Sequence, residues 1–194
     1  MNRRRFVTRM AGSGLLVATA FAAGCTTTDR YVPTDASTKK REIDAGVDGA
    51  LNRLYTTVSG ARELVARAEG ILVFPRVLSA GLVVGGEYGE GALRSKGATV
   101  GYYRTTSASI GLTAGAQSRS EILLFMTPEA YSRFADSSGW TVGADASVAL
   151  AKVGVNGSID TNTVQQPVIG FVQTNAGLMF DISLDGAKIG KLNL

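Results

Sequence analysis

The chain has 194 residues, with 20 Lys+Arg, 16 Asp+Glu, one cysteine and no histidine. Four of the basic residues (Arg3, Arg4, Arg5, Arg9) precede Cys25 in a stretch without acids, so the 170 residues from Cys25 onward hold 16 cations, 16 carboxylates and no net charge. This balance speaks against a nucleic-acid partner, and the missing histidine excludes Ser-His-Asp, Cys-His and His-ligated zinc chemistry. A single cysteine allows no internal disulfide. About 170 residues suffice for one domain that buries roughly 70% of its unfolded surface.

Asn2-Arg3-Arg4-Arg5-Phe6-Val7 opens the chain, and apolar or small residues fill nearly all of Ala11 to Gly24. A basic start, an apolar run and small residues before a cut describe a secretory signal over residues 1–24. The run is shorter than the ~20 residues a membrane-spanning helix needs. Arg4-Arg5-Phe6 with its preceding arginine resembles the twin-arginine export motif, with general secretion as the second reading. Ala22-Ala23-Gly24-Cys25 resembles a bacterial lipobox, which implies that Cys25 becomes the acylated N-terminus. The alternative is ordinary cleavage that leaves a free thiol, an odd residue to export into an oxidising compartment. Thr26 follows the cysteine in place of the Asp that retains lipoproteins in the inner membrane of enteric bacteria. The expected location is therefore the outer membrane, facing the periplasm. Residues 25–37 then form the acylated cysteine and a flexible tether; Thr26 to Thr38 is polar and aperiodic, with a coil span on the order of 20 Å.

Ile43, Val47, Leu51, Leu54 and Val58 recur at helical spacing and predict an amphipathic helix over residues 38–58, despite Gly46 and Gly49. A shorter helix follows over Ala61 to Glu69, with Gly70 as its C-terminal cap. Ile71-Leu72-Val73-Phe74 is a continuous apolar run ending at Pro75, as in a buried strand. Further strands are predicted at Gly81 to Gly91, Ala98 to Tyr103, Ala108 to Ala116 and Glu121 to Met126. Thr127-Pro128-Glu129 starts a helix that runs to about Phe134. Alternation predicts a half-buried strand from Val142 to Leu150, another at Val153, Val155 and Ile159, then Val168 to Val172. Leu178, Phe180, Ile182 and Leu184 alternate strictly, and Asp185-Gly186 signals a hairpin leading to Ile189 and Leu192. The whole reads as an α+β domain over residues 38–194: N-terminal helices packed on a curved, meandering antiparallel β-sheet, barrel-like if it curls far enough.

From Ala68-Glu69-Gly70-Ile71-Leu72-Val73-Phe74-Pro75 through Gly81-Leu82-Val83-Val84-Gly85-Gly86-Glu87-Tyr88-Gly89-Glu90-Gly91 the chain resembles the SYLF domain family. The likeness continues through Gly111 to Gly115, Glu121 to Phe125, Ala130 to Phe134 and Gly177 to Gly186, covering about residues 38–194. It implies a non-enzymatic lipid-binding module, with the phosphoinositide affinity of eukaryotic members placed on the basic N-terminal helical region and nearby lysines. Ser79 stands where the family often has Lys, and Arg76 is the nearest cation.

Lys39, Lys40, Arg41, Arg53, Arg62 and Arg67 place six cations along the helical region, and with Arg76 they are the candidate lipid contacts. Each is worth about 1 kcal/mol near an anionic surface. The competing reading is a solvated face, because Glu42, Asp44, Asp48, Glu63 and Glu69 interleave with them. Gly81, Gly85, Gly86, Gly89 and Gly91 match neither dinucleotide nor P-loop spacing, so they are read as permitting strand curvature and close backbone approach rather than cradling phosphate. Glu87 and Glu90, three apart on a strand, point to opposite faces and do not make an acid–base pair. No catalytic residue, metal or cofactor is expected. The expected partner is a phospholipid membrane, with no nucleic acid; the second reading is a structural or interaction module that binds another protein of the envelope or of a host.

Overall fold

The computed structural model describes residues 35–81, 84–110, 115–152, 159–174, 177–179 and 183–194. The export, acylation and most of the tether readings therefore fall outside the described residues, as do Val153, Val155, Phe180 and Ile182. The first described elements are helix α1 (Ala36–Thr57), two residues before its expected start, and helix α2 (Ala61–Arg67). Ile43, Val47, Leu51, Leu54 and Val58, chosen by spacing, are all buried. Gly70 is not the cap of α2: the helix closes at Ala68 in extended backbone, and Gly70 opens the first strand. A Cβ there would lie 2.3 Å from the Tyr131 ring, so close packing and not helix termination explains the glycine.

Four long strands follow: β1 (Gly70–Gly81), β2 (Val84–Ser95), β3 (Ala98–Ile110) and β4 (Gly115–Phe125). Then come helix α3 (Pro128–Ala135), β5 (Trp140–Thr141), β6 (Ala149–Leu150), helix α4 (Thr161–Val164), β7 (Val168–Thr174), β8 (Gly177–Leu178) and β9 (Lys188–Lys191). The described strands form one sheet in the order β5-β9-β3-β2-β1-β4-β7-β6, with β8 beside β7. It is strongly curled into a half-barrel, and it is mixed rather than wholly antiparallel because β6 runs parallel to β7.

Several expected strands move. Ala98 to Tyr103 and Ala108 to Ala116 are not separate units, since β3 is continuous to Ile110 and β4 starts at Gly115. Val142 to Leu150 is not one strand: residues 143–145 form a turn, closed where the Thr141 amide donates to Asp145 Oδ2 at 2.6 Å. Asp185-Gly186 does turn the chain, with Gly186 at φ +84°, and among the described residues β9 pairs with β3 and β5.

The apolar runs are continuous because the central strands are buried on both faces. Val73, Ala92, Ile122, Leu124, Ile169 and Phe171 pack with α1 and α2. Their neighbours Leu72, Phe74, Leu93, Leu123, Phe125, Val168 and Val172 form a second core with Phe134, Trp140 and Ile189. Phe134 is the buried residue of α3, and it stacks on Phe125 at 4.8 Å and meets Trp140 edge-on at 5.5 Å. The helix start is as expected, with the Ala130 amide donating to Thr127 Oγ1 at 3.2 Å. Trp140 and Tyr103 are core residues, and Tyr102 donates to Asp44 Oδ2 at 2.8 Å.

Strand β1 does not stop at Pro75. It passes through a bulge there, where Phe74 and Pro75 oppose Gly91 alone on β2. Proline lacks the amide a ladder position requires, so a bulge is where a strand tolerates it. The bulge also resets the alternation. Val73 packs with α1, Phe74 with the opposite core, and Val77 again with that core. Pro75 and Arg76 are thereby both turned to the α1 side. Gly46 of α1 rides directly over Pro75: a Cβ at Gly46 would lie 2.9 Å from Pro75 Cγ. A residue unfavourable in a helix is thus explained by the contact it permits.

Candidate functional site

Helix α1 covers only part of its sheet face. Its first half is tied to β2 and β3, where Thr99 Oγ1 donates to Asp44 at 2.8 Å and Arg94 pairs with Asp48. Its end reaches β7, where Gln173 Nε2 donates to Thr57 Oγ1 at 3.2 Å. Beyond the bulge the outer halves of β1, β2 and β3 run out from under the helix. Between α1 and these strands lies a cleft of about 960 Å³, bordered by Glu42, Arg53, Arg76, Leu78, Tyr88 and Glu90. Gly46 and Gly49 form part of its helical wall and leave it open.

Leu78 and Tyr88 are cross-strand partners and are 50% and 45% exposed, so two large apolar side chains sit together in water. The third large exposed apolar residue described, Val100, lies near the β2–β3 turn at the other end of the strands. Tyr88 donates to Glu90 Oε1 at 2.7 Å, and Lys39 Nζ lies 2.8 Å from the same oxygen. Burial, followed by the Glu90 hydrogen bond, pushes the Tyr88 phenol up to about 12, so it remains a neutral donor at every physiological pH.

The structure separates the predicted cations. Lys39, Lys40 and Arg41 are successive helix residues about 100° apart, and they point three ways. Lys39 turns to Glu90, Lys40 lies over the Tyr102 ring at 5.8 Å, and Arg41 donates to Thr38 Oγ1 at 2.9 Å. Arg62 stacks on Tyr55 at 4.3 Å, and Arg67 is exposed in the last turn of α2. Arg53 and Arg76 are exposed and meet at the cleft.

The glycine motif divides into positions that need glycine and positions that do not. Added Cβ atoms would lie 2.7 Å from Val77 Cγ2 at Gly89 and 2.0 Å from the Val73 carbonyl oxygen at Gly91. At Gly86 the nearest atom would be 4.0 Å away. Gly85 pairs with Gly81 and Ser109 inside the ladder, so this segment is a curved strand and not a phosphate loop. Ser79, in the position of the family's lysine, is 5% exposed and faces away from the cleft.

On that opposite face is a polar cluster the sequence did not reveal. Arg119 is 8% exposed and donates to both Glu87 oxygens, at 2.8 and 2.7 Å, and through Nε to Glu121 Oε1 at 2.8 Å. Ser107 Oγ adds a bond to Glu87 at 2.6 Å. Glu87 and Glu90 do lie on opposite faces, each with its own cation. Arg119 holds the Glu87 carboxyl below the usual range against the effect of burial. Burial pushes Glu121 up, with Arg119 only partly opposing it.

These opposite shifts make a pH prediction. Glu87 supplies stability that is present above the unfolded pKa and lost as pH falls. Glu121 acts the other way: the native state keeps a proton that the unfolded chain has released, so stability falls as pH rises through its native titration. Urea unfolding from pH 4 to 8 is therefore expected to show wild type losing stability relative to Glu121→Gln as pH rises. A constant difference across that range contradicts the assignment.

Among the described residues, no cluster of three or more His, Cys, Asp or Glu is arranged to hold a metal, and no helix is long and apolar enough to cross a membrane. The site offers charge, a shallow apolar surface and an open cleft, which are means of binding. No curated protein matches the chain. Residues 106–192 match the family model Ysc84, described as Las17-binding protein actin regulator, and span β3 from its middle through β9. Over residues 106–192 the chain therefore matches the Ysc84, or SYLF, domain family.

Proposed function

We propose that this is an exported lipoprotein whose SYLF domain contacts anionic phospholipid without catalysing a reaction. Residues 1–24 direct export, Cys25 is acylated, and the tether holds the domain at the periplasmic side of the outer membrane. The observation that carries the lipid reading is the meeting of Arg53 and Arg76 at a cleft beside the half-exposed pair Leu78 and Tyr88. Two cations contribute about 1 kcal/mol each near an anionic surface, too little for tight binding in free solution. Anchoring changes this, because a short tether converts the contact into an intramolecular one at an effective concentration of order millimolar. Several acyl chains at Cys25, each CH₂ worth about 0.8 kcal/mol, supply the anchorage itself.

Replacing Arg53 and Arg76 together by Gln is expected to weaken binding to phosphatidylglycerol vesicles about tenfold, in vesicle co-sedimentation of residues 35–194. Unchanged binding would remove these cations from the assignment. Both cores lie within that segment, so it is a suitable unit to test. Separately, Cys25→Ser in the full chain is expected to abolish labelling by a fatty acid and release the protein from membranes; retained labelling contradicts the anchor. A second reading is favoured by the family's description as a Las17-binding regulator: the same exposed surface serves a protein of the envelope or a host. Co-purification of one such protein, with no vesicle binding, would support it.

A further inference from the structure

The cleft is one border of a larger surface. Following the ladders outward gives a row of side chains on the α1 face: Ser118 on β4, Leu78 on β1, Tyr88 on β2, Thr106 on β3 and Lys188 on β9. A second row, nearer the helix, holds Arg76, Glu90 and Arg104. Directly paired residues share a face, so this placement follows from register alone. Arg76, Arg104, Lys188, Leu78 and Tyr88 are all exposed, and Arg53 projects from the flank of α1 into the same cleft. The acids on this surface are Glu90, already engaged by Lys39 and Tyr88, and Glu42 at the cleft wall. Among the described residues, no element covers this sheet face, which carries four cations and a central apolar pair.

We infer that this outer sheet face, and not the basic run at the start of α1, is the surface that lies flat on an anionic bilayer; the inference rests on the lipid reading above. Two observations select the bilayer as occupant. One is charge: cations ring Leu78 and Tyr88, which suits phosphates around a shallow apolar insertion. The other is where the remaining chain enters. Residues 1–34 join at Asp35, and Lys39, one turn into α1, reaches Glu90 on this surface. Nine residues lie between Cys25 and Asp35, and a flexible tether of that length would span roughly 17 Å. A domain of this size has a radius of gyration of about 15 Å, so a tether that short favours presenting the face beside its root.

Residues 35–194 are tested against vesicles of phosphatidylcholine with and without phosphatidylglycerol at low salt. Arg104→Gln with Lys188→Gln, a pair outside the cleft, is expected to weaken partition at least tenfold. Arg62→Gln with Arg67→Gln on α2 is expected to stay within twofold of wild type. Orientation is read independently from Tyr88→Trp, because native Trp140 is buried and provides a constant background. On vesicles its emission is expected to shift to the blue and to be quenched by lipids brominated near the headgroup, while Val100→Trp is unaffected. If wild type binds but the α2 pair alone weakens it, or Val100→Trp responds and Tyr88→Trp does not, this surface is wrong and the lipid reading stands. If wild type binds no anionic vesicle, both fall.

Discussion

Arg119→Ala is expected to destabilise the domain by about 3–5 kcal/mol, the range found when one partner of a buried ion pair is removed. The reason is specific to this cluster. One guanidinium serves two carboxylates, Glu87 and Glu121, of which Glu121 is 6% exposed in its side chain. Without Arg119, two acids face each other in a poorly solvated site, and the native state must take up protons or open. For a domain of this size each kcal/mol is about 2–4 °C, so the melting temperature is expected to drop by about 6–20 °C. The loss is expected to shrink as pH falls towards 4, because protonation then neutralises the orphaned carboxylates. The combined change Glu87→Gln, Arg119→Met, Glu121→Gln removes every charge and is expected to recover more than half of it. If the combined variant is as unstable as Arg119→Ala, packing of the arginine and not its charge holds this end of the sheet.

Gly91→Ala is expected to be nearly as damaging, at about 3 kcal/mol, the upper part of the range for overpacking. The added methyl would lie 2.0 Å from the Val73 carbonyl oxygen and 2.7 Å from Phe74 Cδ1, against the bulge at Pro75. A backbone carbonyl inside two ladders has little room to retreat. Gly86→Ala, five residues earlier in the same strand, meets nothing nearer than 4.0 Å. It is expected to be neutral, or to stabilise by up to about 1 kcal/mol by restricting the unfolded chain. Denaturant midpoints of the two variants check the pair directly. Equal destabilisation would mean that the segment requires glycine generally, as a ligand-cradling loop does, and not at the points of close approach.

Much of the fold was legible in the sequence, for reasons that particular residues make clear. The stripe Ile43, Val47, Leu51, Leu54 marked α1 because one helical face is buried and the other is not. The unbroken run Ile122 to Phe125 marked a central strand because its neighbours alternate between two cores. Expectations failed where a long-range partner decides the outcome. Val142 to Leu150 has the alternation of a strand, yet the chain turns at Gly143, whose φ of +86° suits glycine. Asp185-Gly186 turns the chain as its local signal implies, but nothing local indicates that the strand after it pairs with β3, some 80 residues earlier.

The candidate site was less legible, because register and one bulge create it. Lys39-Lys40-Arg41 looks like a patch in the sequence, but helical rotation disperses it. Arg76 shares the α1 side with Pro75 only because the bulge interrupts the alternation. Arg104 and Lys188 are unremarkable in sequence, and their approach to Tyr88 depends on three strands meeting in one register. Arg119 and Glu121, two apart on a strand, share a face by simple alternation, but nothing local marked them as a pair or placed Glu87 within reach.

The central claim is that the domain itself, freed of its anchor, recognises anionic phospholipid. Co-sedimentation of residues 35–194 with neutral, phosphatidylglycerol, cardiolipin and phosphoinositide vesicles, at low and high salt, tests it most directly. Binding that requires an anionic lipid and weakens as salt screens the cations is the result expected. Equal recovery in the supernatant with every vesicle at low salt would contradict it, leaving the anchor as the chain's sole attachment and a protein as its partner.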